Sequence, residues 1–66
     1  MVDKQLSGRE VIFEFSVVGQ YVKVTAMDTK TLTEVVIQGP ITASEEILKF
    51  NATKRLKYVL EKKGLI

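Results

Sequence analysis

The chain has 66 residues, 45% of them hydrophobic and 27% charged, and a net charge of +2 at pH 7. This size allows one small domain with one compact core, and the composition is that of an ordinary globular protein rather than a disordered or fibrous one. The absence of cysteine and histidine excludes disulfides, thiolate nucleophiles, imidazole acid–base chemistry and zinc sites built on these residues.

The N-terminal segment is polar and carries no export signal. Residues 1–8 are mostly polar and end in Gly8, which predicts a flexible tail ahead of a single domain over residues 9–66. The segment lacks the basic flank and apolar run of a signal peptide, and no apolar run approaches the ~18 residues of a membrane span. We therefore expect a cytoplasmic protein with no membrane partner.

Two strands joined by a tight turn follow the tail. Residues 11–18 alternate with period two, which predicts a half-buried strand whose odd-numbered side faces the core. Gly19-Gln20 fits a two-residue type II′ turn, and residues 21–27 alternate again. The turn sets Val18 opposite Tyr21. It also predicts three inward pairs: Val17 with Val22, Phe15 with Val24, and Phe13 with Ala26.

A third strand and a long helix complete the chain. The polar cluster Asp28 to Thr31 predicts a turn of undetermined length, and TEVVIQ predicts a strand with Val35 and Ile37 inward. Gly39-Pro40 then ends the strand.

The helix is predicted to run from about residue 43 to 63. Thr42 and Glu45 fit a capping box, with Ser44 as an alternative cap, and Gly64 is placed as a left-handed helix stop. A three-stranded sheet needs its apolar face covered, and this helix is the element available. The predicted fold is α+β: a three-stranded antiparallel β-meander packed against one long C-terminal α-helix, in a two-layer βββα arrangement.

The helix carries apolar residues on two sides. At ~100° per residue, one stripe is predicted to pack on the sheet, with Leu60 at its margin: Leu48, Ala52, Leu56 and Val59. Four residues point the opposite way: Ile47, Phe50, Lys54 and Tyr58. Single exposed hydrophobic residues are common, but three on one side of a helix form a patch typical of contact surfaces. We predict that this surface binds another protein or a second copy, as in a homodimer.

The sheet side away from the helix adds a second candidate surface. In the predicted register Ile12 pairs with Met27, and Val36 is expected as their neighbour on the third strand. The alternative is that these are the β-branched and long side chains that exposed sheet faces often carry. Otherwise this face, or a free strand edge, binds another chain.

Nucleic acid is the alternative partner. Residues 43–66 hold six basic and three acidic side chains, against four and five in residues 1–42. Four basic residues of the helix, with Phe50 and Tyr58 as stacking groups, are the mix that single-strand binders use: Lys54, Arg55, Lys57 and Lys62. A solvated helix face explains the same residues without any ligand, and the outer side of the sheet carries more Glu than Lys.

No residue pattern indicates catalysis. Glu10, Glu14 and Glu34 lie on one predicted flat, solvated face, whereas an enzyme needs convergent polar groups in a pocket. The four glycines are too far apart to form a phosphate-binding loop. We therefore expect no enzyme, no catalytic residue, no metal, no cofactor and no small-molecule substrate.

Three runs of the sequence resemble a known family over residues 8–64. They are GREVIFEFSVVGQYVKVTAMD, TEVVIQGP and LKYVLEKKG. The chain resembles a family of very small uncharacterised bacterial proteins of about this length. The resemblance implies a bacterial protein of unknown function, and it brings no ligand or site residue with it.

Overall fold

A computed structural model describes residues 8–66 of the chain. The flexible tail predicted for residues 1–8 lies outside the described residues except for Gly8, so it stays a prediction. The described part contains three strands and then one helix, and the predicted α+β fold is confirmed.

The strands form one antiparallel sheet in chain order. They are β1 (Val11–Val18), β2 (Tyr21–Asp28) and β3 (Thr33–Pro40), with β2 in the middle. The helix α1 (Glu45–Lys62) packs on β2 and β3. We call the side of the sheet that faces α1 the inner sheet face and the opposite side the outer sheet face.

The turn between β1 and β2 has the predicted form. Gly19 has a φ of +61° and Gln20 is not in the left-handed region, as a type II′ turn requires. Val18 therefore pairs with Tyr21. The three predicted inward pairs all occur: Val17 with Val22, Phe15 with Val24, and Phe13 with Ala26.

The loop between β2 and β3 spans residues 29–32. Leu32 closes it by donating its N–H to the carbonyl oxygen of Asp28 over 2.7 Å, and its own φ is +61°. Asp28 belongs to β2 rather than to the loop where the sequence placed it, and its side chain is fully buried on the inner sheet face.

The core lies between α1 and the two strands that α1 covers. Its buried hydrophobic residues come from β2, β3 and α1: Val22, Val24, Ala26, Val35, Leu48, Ala52, Leu56 and Leu60. Leu60, predicted at the margin of the stripe, is fully buried, whereas Val59 is half-buried. The reason is that the four helical core residues stand four apart and form one ridge along the helix.

The prediction that the whole odd-numbered side of β1 faces the core is wrong. Val11 and Phe13 are half-buried against the core, but Phe15 is 37% and Val17 63% exposed. A helix about 10 Å wide covers roughly two strands spaced about 4.8 Å apart, and α1 lies over β2 and β3. The second half of β1 is therefore left without a cover.

The N-cap lies two residues later than the capping box predicts, at the alternative cap. Ser44 is the N-cap, and its Oγ accepts a hydrogen bond from the N–H of Ile47 over 3.2 Å. At the other end Gly64, with φ +71°, donates to Glu61 while Leu65 donates to Leu60, which is the Schellman arrangement. The predicted glycine stop is confirmed.

Candidate functional site

The outer helix surface consists of Ile47, Phe50, Lys54 and Tyr58, which lie on the side of α1 away from the core. All four residues are exposed, and Phe50 has 61% of its surface accessible. The buried residues of α1 lie on the opposite side. The structure therefore brings these four predicted residues together on one surface of the helix.

Cations lie against both aromatic rings of the outer helix surface. The Nζ of Lys54 is 5.5 Å from the centroid of the Phe50 ring. The guanidinium of Arg55 is 5.5 Å and the Nζ of Lys62 is 5.9 Å from the centroid of the Tyr58 ring. Cations within about 6 Å of a ring centroid are attracted by the electron density of the ring face.

A shallow, open depression lies in the outer helix surface. It measures about 370 Å³, and Lys57 and Glu61 line it together with three residues of the surface: Phe50, Lys54 and Tyr58. Two of the four basic residues predicted for nucleic-acid binding, Lys54 and Lys57, thus line the depression. The other two flank it by lying against Tyr58.

The outer sheet face holds the second group of predicted residues. Ile12 pairs with Met27 as predicted, but the residue opposite Met27 on β3 is Glu34. Val36 pairs with Thr25, one row further along, because strand partners on one face advance two residues at a time. Ile12 and Val36 are exposed and Met27 is half-buried, so the three form a diagonal group rather than one row.

A buried ion pair at the end of the sheet was not predicted. Arg9 donates from Nη1 to Oδ2 of Asp28 over 2.6 Å, and Thr31 donates to the same oxygen from its N–H and its hydroxyl. Burial raises the pKa of the Asp28 carboxyl, but the bonds from Thr31 and the charge of Arg9 outweigh burial and hold that pKa below 3.8. Arg9 also donates from Nη2 to the carbonyl oxygen of Leu65, over 3.2 Å. The ion pair and this hydrogen bond therefore join the start of β1, the end of β2 and the end of the chain.

Within residues 8–66, no group of three or more Asp or Glu side chains is arranged to hold a metal ion. Within the same residues, no helix has the length and the apolar content that crossing a membrane requires.

Comparison with protein families gives one match. A family model described as a domain of unknown function, DUF6898, matches residues 8–63. The chain belongs to the DUF6898 family. No curated protein and no solved structure matches it.

The matched part of this DUF6898 chain contains β1, β2, β3 and the whole of α1. The predicted membership of a family of unknown function is therefore confirmed. The bacterial source that the resemblance implied stays a prediction.

Proposed function

We propose that this DUF6898 chain is a non-enzymatic binding module that contacts another protein through the outer helix surface. The observation that carries the proposal is the exposure of Phe50, between Ile47 and Tyr58, on a helix whose other side forms the core. Burying a phenylalanine side chain is worth about 2 kcal/mol, so a partner that covers Phe50 gains a substantial anchor.

The charges on and beside the outer helix surface support a partner of opposite charge. Lys54 lies among the apolar residues, and Arg55 and Lys62 lie against Tyr58. A partner segment with an apolar side chain to contact Phe50 and carboxylates to face these cations fits the surface. We propose that such an acidic segment of another protein is the ligand, in the cytoplasm of a bacterium.

A single-stranded nucleic acid is the second candidate. The basic residues that support it surround the two rings that bases would stack on: Lys54, Arg55, Lys57 and Lys62. However, cations already lie against both rings, so a base that stacks on the same face of a ring has to displace Lys54 from Phe50, or Arg55 and Lys62 from Tyr58. Stacking on those faces therefore costs the existing cation–ring contacts, which favours a protein partner.

The test is photo-crosslinking in the native host. The photoreactive residue p-benzoylphenylalanine replaces Phe50 in one variant and Val36, an exposed residue of the outer sheet face, in the control. We expect an adduct at position 50 that nuclease leaves intact and that Lys54→Glu weakens. The mass of the adduct distinguishes a second copy of the chain from a different protein.

Two results count against the proposal. An adduct that nuclease destroys favours the nucleic-acid candidate. Crosslinking at position 36 but not at position 50 moves the contact to the outer sheet face.

A further inference from the structure

In the second half of β1, the inner sheet face is not covered by α1 and the free edge of the strand is not paired with another described strand. Phe15 and Val17 are exposed on the inner sheet face, and β1 is an outer strand of the sheet. An unprotected edge strand offers its backbone groups to another strand. The question is which strand fits.

The backbone groups of the odd-numbered residues of β1 point away from β2. Glu10 accepts a hydrogen bond from the N–H of Thr29 over 3.1 Å, which directs the even-numbered residues toward β2. Because neighbouring residues of an antiparallel strand alternate, the odd-numbered ones present their N–H and C=O groups along the free edge: Val11, Phe13, Phe15 and Val17. This edge contains no proline.

The other edge of the sheet is less suited to pairing. Ile41 donates to the carbonyl oxygen of Gln20 over 3.0 Å, so the even-numbered residues of β3 face its free edge. Among them, Pro40 has no N–H to donate to a further strand. The two edges of the sheet therefore differ, and β1 is the one left open.

We infer that two copies of this chain pair antiparallel along β1, about a two-fold axis at Phe15, and form one six-stranded sheet. Phe15 then lies opposite the partner's Phe15, and Phe13 lies opposite the partner's Val17. Each of these pairs forms two backbone hydrogen bonds. They are made by the N–H and C=O groups that point along the free edge of β1 in the single chain. The strand residues that meet on the inner sheet face are apolar, and the Nζ of Lys49 lies 5.7 Å from the centroid of the Phe13 ring in each copy.

The outer sheet face fits the same register. Ile12 lies opposite the partner's Val18, which joins exposed hydrophobic residues of the two copies. Glu14 lies opposite the partner's Ser16, and the partner's Lys23 stands next to that serine on β2. Since serine is small, the lysine side chain reaches past it to the carboxylate. The two-fold axis makes this attraction occur twice.

The uneven cover of β1 also fits a second copy. The hydrogen bond from Arg9 to Leu65 holds the end of the chain near the start of β1, where Val11 and Phe13 are half-buried. The two-fold axis places this covered half beside the partner's uncovered half. Each copy thus shields the part of β1 that the other leaves exposed. The surface shares no residue with the outer helix surface, so the inference does not rest on the proposed function.

The test combines sedimentation equilibrium with charge exchange. The wild-type chain at up to about 500 µM is expected to show a species of twice 7.4 kDa. Glu14→Lys and Lys23→Glu each place like charges together, and each is expected to weaken the dimer about tenfold. Mixing the two variants restores opposite charges at both contacts, so native mass spectrometry should show the heterodimer in preference to either homodimer.

Glu34→Lys is the matched control, because it makes the same charge change on the outer sheet face, away from β1. It should leave the dimer unchanged, and circular dichroism should show that every variant is folded. Three results overturn the inference. They are a monomer at all concentrations, a dimer that neither Glu14→Lys nor Lys23→Glu weakens, and a mixture that forms no heterodimer.

Discussion

Arg9 and Asp28 meet at the end of the sheet where β1 starts and β2 ends, with 2.6 Å between Nη1 and Oδ2. The carboxylate is fully buried and the guanidinium almost so. Thr31 adds two hydrogen bonds to Oδ2, whereas the buried Oδ1 has no partner among the described residues. The pair lies next to the chain end, because Arg9 also donates to Leu65.

The lowered pKa of Asp28 predicts how stability depends on pH. Because the pKa is lower in the folded chain than its ordinary 3.8, the stabilisation is present above pH 3.8 and is lost as pH falls through the folded value. We expect the free energy of unfolding, measured with urea, to fall between about pH 5 and about pH 2. Asp28→Asn should lower it by about 2 kcal/mol at neutral pH, because an amide binds Arg9 without a charge.

The variant also isolates the contribution of Asp28. The other carboxylates are present in both proteins, so the difference in unfolding free energy between wild type and Asp28→Asn reports on Asp28 alone. This difference should shrink as pH falls below 3.8. A difference that is constant with pH means that the folded pKa of Asp28 is not lowered.

The burial of Asp28 could have been predicted from the sequence. The inward residues of β2 have even numbers, Val22, Val24 and Ala26, and Asp28 continues that parity. A carboxylate on an apolar face needs a cation, and Arg9 lies two residues before the start of β1, at the end of the sheet where β2 ends. The polar run from Asp28 to Thr31 suggested a turn instead. Turn composition thus obscured a buried residue at the end of a strand.

The outer helix surface could be predicted from the sequence, whereas the exposure of Phe15 and Val17 could not. The outer helix surface follows from the 100° period of α1, so Phe50 was placed correctly from local spacing. The exposure of Phe15 and Val17 depends on which strands α1 covers, and the alternation of β1 is the same whether or not a helix lies over it. Tertiary packing alone decides that question.

The N-cap of α1 gives a second prediction. Ser44→Ala should destabilise the chain by about 1 kcal/mol, because Ser44 satisfies the N–H of Ile47. Thr42→Ala is the control and should change the unfolding free energy by less than about 0.5 kcal/mol. Denaturant unfolding of both variants checks this, and a larger loss at Thr42 shows that the capping box operates instead.

Gly39 gives a third prediction, based on packing. A Cβ at this position would overlap Cδ2 of Leu48, which is buried in the core. Gly39→Ala should therefore destabilise the chain by about 1 to 2 kcal/mol through overpacking. A double-mutant cycle with Leu48→Ala checks the cause, because removal of the leucine side chain should abolish most of the cost of Gly39→Ala. Additive effects of the two changes mean that the cost arises elsewhere.

Leu32 gives the last prediction, at the loop between β2 and β3. Its φ of +61° is unfavourable for a residue with a Cβ, and its side chain is 71% exposed. Leu32→Gly should raise the free energy of unfolding by about 0.5 to 1 kcal/mol, because the relief of backbone strain exceeds the entropy that glycine adds to the unfolded chain. Leu32→Ala keeps the strain and removes only exposed atoms, so it should leave stability within about 0.5 kcal/mol of wild type. If Leu32→Ala lowers stability by more, the leucine side chain contributes a contact that its exposure does not suggest, and the strain at this position is offset by packing.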